Sequence, residues 1–242
     1  MSELEIQKEM EILKELEKYD TPSITNVVAT YPKDKELCLG LYDPWLINWY
    51  TDQTLKCMYP ELGRQAGIAV TCVVGIPDPN FNRLEWADVF RAINKPGLPV
   101  ILAIKQDMPK NIKGKNGLSG GNLTTAFKAS GAIGAISDGP SRDIDEIRPK
   151  QFQYMLTGVC AGHGDFSIKA VNVPVNICGM DIAPGEIIHM DENGAVKFPR
   201  EALPKVLEYV KKLLENEGTK QSKIAAAAGD VEKIIRIMKG FE

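Results

Sequence analysis

GGNLTTAFKASGAIGAIS, residues 120–137, is the stretch from which the fold is read. Two glycines open it, residues of helical character follow as far as Gly131, and Ala132–Ser137 is a short apolar run of buried-strand length. Upstream, Leu98–Gln106 (LPVILAIKQ) is a second run of that kind, Trp86–Asn94 carries a helical pattern, and Gly67–Gly75 (GIAVTCVVG) is a third strand. Strands separated by helices belong to an α/β layered domain. Downstream the spacing changes. VNVPVNICGMDIAPGEIIHMDENGAVKFP, residues 171–199, holds several short strands parted by Pro184-Gly185 and Glu192-Asn193-Gly194, too close together for helical crossovers. The expected fold is α/β, a layered sandwich with a mixed sheet.

Helices frame this core. Ile6, Met10, Leu13 and Leu16 recur at helical spacing through about Tyr19, and Asp20-Thr21-Pro22-Ser23 ends that helix and caps a short second one. Near the other end Leu203, Val206, Leu207, Val210 and Leu214 form one stripe, followed by Ile224, Val231, Ile234, Ile235 and Met238. Residues 31–64, with Tyr31-Pro32, Asp43-Pro44 and the aromatics Trp45, Trp49 and Tyr50, are left unassigned; the aromatics read as a hydrophobic cluster, with a lid or interface patch as the alternative.

Of 242 residues, 44% are hydrophobic and 25% charged, an ordinary globular balance with ample length for a core. Lys and Arg number 29 against 32 Asp and Glu, a net charge of −3, so no basic footprint for nucleic acid is present. The opening MSELEIQKEME has no apolar stretch of signal type, and no run approaches the roughly 20 apolar residues of a membrane span, so a cytoplasmic protein is expected. Cys38, Cys57, Cys72, Cys160 and Cys178 are odd in number and form no C-x-x-C pair; Cys72 and Cys178 lie in apolar runs and are expected to be buried thiols. His163 and His189 are too few for a histidine-rich zinc site, so a bound metal would need oxygen ligands.

Two elements carry candidate chemistry. Gly120-Gly121-Asn122-Leu123 precedes a helix, whose free backbone N–H groups and positive dipole end suit a carboxylate or phosphate; the same pattern serves as a plain turn. Ser137-Asp138-Gly139-Pro140-Ser141-Arg142-Asp143 leaves a buried strand at the sheet edge, where α/β folds bind ligands. Asp143 there suits Mg2+ or Mn2+, and the Arg142 fork suits anionic oxygens, together a fit for enolate charge. The alternative is structural: Arg142 pairs with Asp145 or Glu146, and Asp143 caps a helix. His163, in the loop CAGHGDF, is a candidate acid–base group, and Lys105 and Lys169 are the lysines placed for a Schiff base, although solvated roles are commoner for both types.

The segment GGNLTTAFKASGAIGAISDGPSRDIDEI followed by residues 171–199 resembles the RraA-like family, which includes 4-hydroxy-4-methyl-2-oxoglutarate aldolases and the RNase E regulator RraA. The likeness spans roughly Thr21 to Lys212 and includes TPSITNVV and GRQAGIAVTCVVG. It implies a swivelling-domain-like sandwich of residues 21–212, with an N-terminal helix (1–20), a C-terminal helical extension (213–242), and assembly as a homotrimer or dimer of trimers. It further implies retro-aldol cleavage of a small 2-oxo acid to release pyruvate, with oxaloacetate decarboxylation as a related activity. Asp143 would hold Mg2+ or Mn2+, Arg142 would steady the enolate, and the amides of Gly120, Gly121, Asn122 and Leu123 would hold the substrate carboxylate. Neither nucleic acid nor membrane is an expected partner.

The chain departs from the pattern at three places. The acidic residue expected in the glycine turn falls on Gly121, the P-G-D motif is Pro184-Gly185-Glu186, and Pro140-Ser141 replaces a small hydrophobic pair. The glutamate that the aldolases borrow from a neighbouring subunit matches no single position here. The family also offers a second class of function, a non-catalytic regulator that binds an RNase, for which the terminal helices would be docking elements.

Overall fold

The computed structural model describes residues 2–31, 36–80 and 84–241; residues 32–35, inside the unassigned stretch 31–64, lie outside the described residues. The elements run α1 (Glu3–Leu16), α2 (Thr21–Val28), β1 (Lys56–Cys57), β2 (Gln65–Gly75), α3 (Trp86–Asn94), β3 (Val100–Asp107), α4 (Lys110–Lys113), α5 (Gly121–Ser130), β4 (Ala132–Ser137), α6 (Ile144–Ile147), β5 (Gln153–Leu156), β6 (Ser167–Val171), β7 (Val175–Ile177), β8 (Met180–Ile182), β9 (Ile187–Asp191), β10 (Gly194–Phe198), α7 (Leu203–Ala226) and α8 (Val231–Met238). Local chemistry sets the helix starts. Ser2 and Glu5 form a reciprocal capping box on α1, and the Asp20 carboxylate accepts the Ser23 N–H at 3.1 Å on α2, as its sequence predicts.

Among the described residues the main sheet follows the order β1-β5-β4-β3-β2-β9-β10, and β6 is a further partner of β2. The strands β2, β3, β4 and β5 lie parallel to one another, whereas β1, β6, β9 and β10 pair antiparallel. The sheet is thus mixed, as the spacing requires. One edge of β2 is taken by β3 over Ile68–Gly75. Its other edge is shared end to end: β9 pairs with Gln65–Ile68 and β6 with Cys72–Gly75. The strands β7 and β8 form a separate hairpin, and Cys178 lies in its turn at φ 46°, half-buried rather than within a strand.

Side-chain alternation sorts the core into two faces. Ile68, Val70, Cys72 and Val74 of β2 join Val100, Leu102 and Ile104 of β3 beneath α3 and Phe127 of α5. Ala69, Ile101, Ala103 and Ile136 face the other way and are covered by Val175, Ile177, Met180 and Ile182 of the hairpin. Close approach fixes Gly134 of β4: a Cβ there would stand 2.6 Å from Met190 Cε and 2.7 Å from the Gln153 carbonyl. The unassigned aromatics divide. Trp49 is buried and stacks on Tyr42 at 5.3 Å, while Trp45 is 89% exposed.

A third cluster joins the chain ends, with Leu13 and Leu16 of α1, Ile24, Val27 and Val28 of α2, and Leu203, Val206, Val210 and Leu213 of α7 around Phe198. The division at residues 212/213 falls within the continuous helix α7, whose buried stripe ends at Leu213. No helix of the described residues is long and apolar enough to cross a membrane.

The α1–α2 junction is pinned to β9 by buried polar groups. Asp191 Oδ2 accepts the Thr21 N–H at 2.8 Å, and the His189 ring lies 2.9 Å from Thr21 Oγ1 and 3.2 Å from the Leu16 carbonyl. Burial drives the His189 pKa from 6.5 down to about 4. Between those values the unfolded chain binds more protons than the folded one, so stability is fully present above the unfolded value and is lost as pH falls towards the folded one. The loss expected of this ring is about 3 kcal/mol. Denaturant unfolding at a series of pH values should show that decline, and His189→Gln should remove most of its slope; an unchanged slope in the variant would assign the acid sensitivity elsewhere.

Candidate functional site

The parallel strands β3 and β4 end side by side, and the segments that leave them build a cavity of about 360 Å³. Trp86, Leu118, Gly120, Gly121, Asn122, Leu123, Arg142, Asp143, Glu146, His163 and Phe166 line it. Every residue singled out in the glycine turn and in the Arg-Asp pair is therefore brought together, and His163 joins them. Lys105 does not line this cavity; it is paired to Asp138 at 2.8 Å, as is Lys113 at 2.9 Å. Lys169 lies on β6 and does not line the cavity.

Backbone hydrogen bonds lace three loops into one support. Leu118 N–H donates to the Pro140 carbonyl at 3.1 Å and Arg142 N–H to Ser119 O at 3.3 Å, joining the first loop to the second. Cys160 N–H donates to Ser141 O at 3.0 Å and Gly117 N–H to Gly162 O at 2.9 Å, joining the third loop to both. The Gln106 amide reaches up from β3 and donates to the Pro140 carbonyl at 3.1 Å, which leaves no room for a Cβ at Gly139. The Pro140-Ser141 pair, one of the three departures from the family pattern, thus holds three of these contacts.

Asp143 adopts the left-handed conformation, φ 59° and ψ 38°, which disfavours an L residue by roughly 1–2 kcal/mol but is tolerated by Asp and Asn. It makes no side-chain cap on α6, so the capping alternative fails; its Oδ2 instead accepts the Gly121 N–H at 3.1 Å. Arg142 does not pair with Asp145 or Glu146 either. Its Nε stands 3.6 Å from Asp143 Oδ2, with both side chains about one-third exposed. A Cβ at Gly120 would lie 2.2 Å from Asp143 Oδ2, so the turn must be glycine for the carboxylate to reach the start of α5. Sequence spacing did not single out Glu146: a Cβ at Gly121 would lie 1.7 Å from its Oε1, so this carboxylate also stands against the turn.

Beneath the turn lies a cluster of buried hydroxyls. Ser119 Oγ is 2.6 Å from Tyr154 OH and 3.0 Å from Ser141 Oγ, and Thr124 Oγ1 is 3.1 Å from the same phenol and donates to the Gly120 carbonyl at 2.9 Å. Burial pushes the Tyr154 pKa up to about 12, so it stays a neutral donor. Among the described residues, no group of three or more His, Cys, Asp or Glu side chains is placed to hold a metal ion.

The RraA-like family model, described as Aldolase/RraA, matches residues 47–197, a span that contains the whole cavity lining. An uncharacterized protein of Methanocaldococcus jannaschii is 34% identical over 99 residues, 40% of this chain and 48% of its own length. A putative 4-hydroxy-4-methyl-2-oxoglutarate aldolase of Halalkalibacterium halodurans is 27% identical over 131 residues, 54% of this chain and 60% of its own length. The chain thus spans about half the length of these curated relatives. Among solved structures, RraAS2 of Streptomyces coelicolor, described as an unusual member of the RNase ES inhibitor RraA protein family, is alike in fold: TM-score 0.64, 20% identity, 87% of this chain and 96% of its own.

Removing the phenol at the centre of the hydroxyl cluster leaves Ser119 and Thr124 each short of a partner in a dry place. Tyr154→Phe should therefore lower unfolding free energy by about 1–3 kcal/mol with little change in denaturant m-value. A denaturation midpoint equal to wild type would show that the cluster does not hold these loops together.

Proposed function

This chain belongs to the RraA-like family, and on that premise we propose that it is a divalent-metal-dependent lyase that cleaves a 2-oxo acid by a retro-aldol reaction and releases pyruvate. The observation that carries this reading is the convergence of Arg142, Asp143 and the Gly120–Leu123 turn on one cavity. The putative aldolase name of the Halalkalibacterium halodurans relative supports the reaction class.

The residues divide the work by their chemistry. The Asn122 and Leu123 N–H groups, beyond the Gly121 N–H that Asp143 accepts, and the positive end of the α5 dipole receive the substrate carboxylate. Arg142 presents a planar fork of donors to the 2-oxo oxygen, where negative charge grows as the C3–C4 bond breaks. Asp143 is the residue that would hold Mg2+ or Mn2+. The donor set suits such an ion: the hard carboxylate oxygens of Asp143, and a partly open cavity for the waters that a small hard cation retains. When bound, the ion supplies Lewis-acid charge to the cavity. Arg142 and Asp143 both line the cavity, which supports their acting on one small molecule.

Pyruvate release from 4-hydroxy-4-methyl-2-oxoglutarate and from oxaloacetate, with and without Mg2+ or Mn2+, is the direct test. Asp143→Asn is the appropriate control, because Asn accepts the left-handed backbone while removing the charge. Metal-dependent release that falls on the order of a hundredfold or more in Asp143→Asn and in Arg142→Lys is expected. Full release by either variant, or none by wild type from these or other 4-hydroxy-2-oxo acids, would sink the lyase reading. In the last case, recovery of an RNase by the purified protein would favour the regulator class instead.

A further inference from the structure

We infer that Glu146 is the proton-transferring residue of this cavity, a conclusion that rests on the lyase reading above. The cavity lining contains four titratable side chains: Arg142, Asp143, Glu146 and His163. Arg142 offers only hydrogen-bond donors and no acceptor for a proton. Asp143 is committed, accepting the Gly121 N–H at 3.1 Å and facing Arg142 at 3.6 Å. The His163 ring is engaged with its own loop, with Nδ1 2.9 Å from its neighbour's carbonyl, Gly164 O, and its face stacked on Phe166 at 6.0 Å. Glu146 differs from all three. Its carboxylate lies over the backbone of Gly121, where a Cβ would stand 1.7 Å from Oε1 and 2.2 Å from Cδ. Lys150 Nζ stands 3.7 Å from the same Oε1, and the Glu146 side chain is 57% exposed, so its carboxylate is open to solvent and substrate.

The backbone explains why it is there. The left-handed turn at Asp143 starts α6 so that the residue three positions on returns to the same cavity. That short helix is anchored: Ile147 is buried, and Tyr59 OH donates to the Ile144 carbonyl at 2.9 Å. Gly121 completes the arrangement, since only a residue without a Cβ leaves the carboxylate its place.

In the cleavage direction the C4 hydroxyl gives its proton to the Glu146 carboxylate as the C3–C4 bond breaks. The electron pair of that bond passes to C3 and is shared with the 2-oxo oxygen. The proton on Glu146 then returns to C3, completing the pyruvate methyl group. One proton has moved from O4 to C3, Glu146 ends as it began, and no further reactant is consumed.

The last step run backwards exchanges the pyruvate methyl protons with solvent, which isolates Glu146 from the rest of the reaction. Exchange in D2O with Mg2+ is followed by proton NMR, and pyruvate binding is read separately by saturation transfer. Glu146→Gln should slow exchange on the order of a hundredfold or more while saturation transfer persists. Gly121→Ala, which pushes the carboxylate off the turn without altering Glu146, should also slow exchange, and the double variant should be no slower than Glu146→Gln alone. Exchange that depends on Asp143 but survives in Glu146→Gln overturns this inference alone. Losses that add fully in the double variant, or a loss confined to His163→Gln, overturn it as well. A wild type that neither exchanges nor binds pyruvate removes the lyase reading and this inference together.

Discussion

A strand buried on both faces must satisfy every backbone N–H and C=O within the protein, and β2 meets that demand with three strands and two loops. Its burial is nearly continuous from Ala66 to Gly75. Strand β3 satisfies one edge, and β9 and β6 divide the other. Between those two partners the chain changes hands: Ala69 exchanges hydrogen bonds with Gly185 and Glu186, and Thr71 accepts from Asn172 N–H at 2.8 Å. The turn at Pro184-Gly185-Glu186 is therefore a structural joint. The Glu186 carboxylate closes it by accepting the Ala183 N–H and pairing with Lys197, each at 2.7 Å.

From this centre the placement of the cavity follows. Because β3 and β4 run parallel to β2, their carboxyl ends open on one side, and the loops beyond them meet there. Short backbone contacts, a shared phenol and the pairing of Asp138 with Lys105 and Lys113 then fix those loops. The cavity's charged residues are left partly exposed while the support beneath them is dry: Ser119, Ser141, Thr124 and Tyr154 are all buried. That division suits a site whose working groups must meet a solvated small molecule without moving their foundations.

Much of this was legible in the residues. Apolar runs placed β2, β3 and β4, capping chemistry placed α1 and α2, and Trp86–Asn94 was read as the helix it is. Gln153–Leu156 and Ser167–Val171 were not read as strands. In β5 a glutamine and a tyrosine interrupt the apolar pattern, and they are tolerable inside only because distant groups meet them: Gln153 donates to the Tyr59 carbonyl at 2.9 Å, and Tyr154 enters the hydroxyl cluster. In β6 the polar Ser167 and Lys169 mask a strand defined by the vacant half-edge of β2. At the cavity, spacing identified Arg142, Asp143 and the glycine turn, but offered Glu146 only as a partner for Arg142. The positive φ at Asp143 redirects α6, and no periodicity in the sequence announces it.

The shared edge of β2 also dictates an order of assembly during synthesis. Parallel pairing with β3 is available early, since Ile68 meets Val100 and Gly75 meets Asp107. The opposite edge waits until Ser167–Val171 and then Ile187–Asp191 have been made, because Gln65 pairs with Met190 and Gly75 with Ser167. A nascent chain that stops short of those segments carries a long, apolar, half-paired strand, the kind of edge that recruits other chains. The terminal cluster closes later still, when Val206 and Val210 reach Leu13 and Leu16. Ribosome-bound intermediates of this protein thus hold one edge of β2 open from the synthesis of Gly75 until Ser167–Val171 and Ile187–Asp191 have emerged.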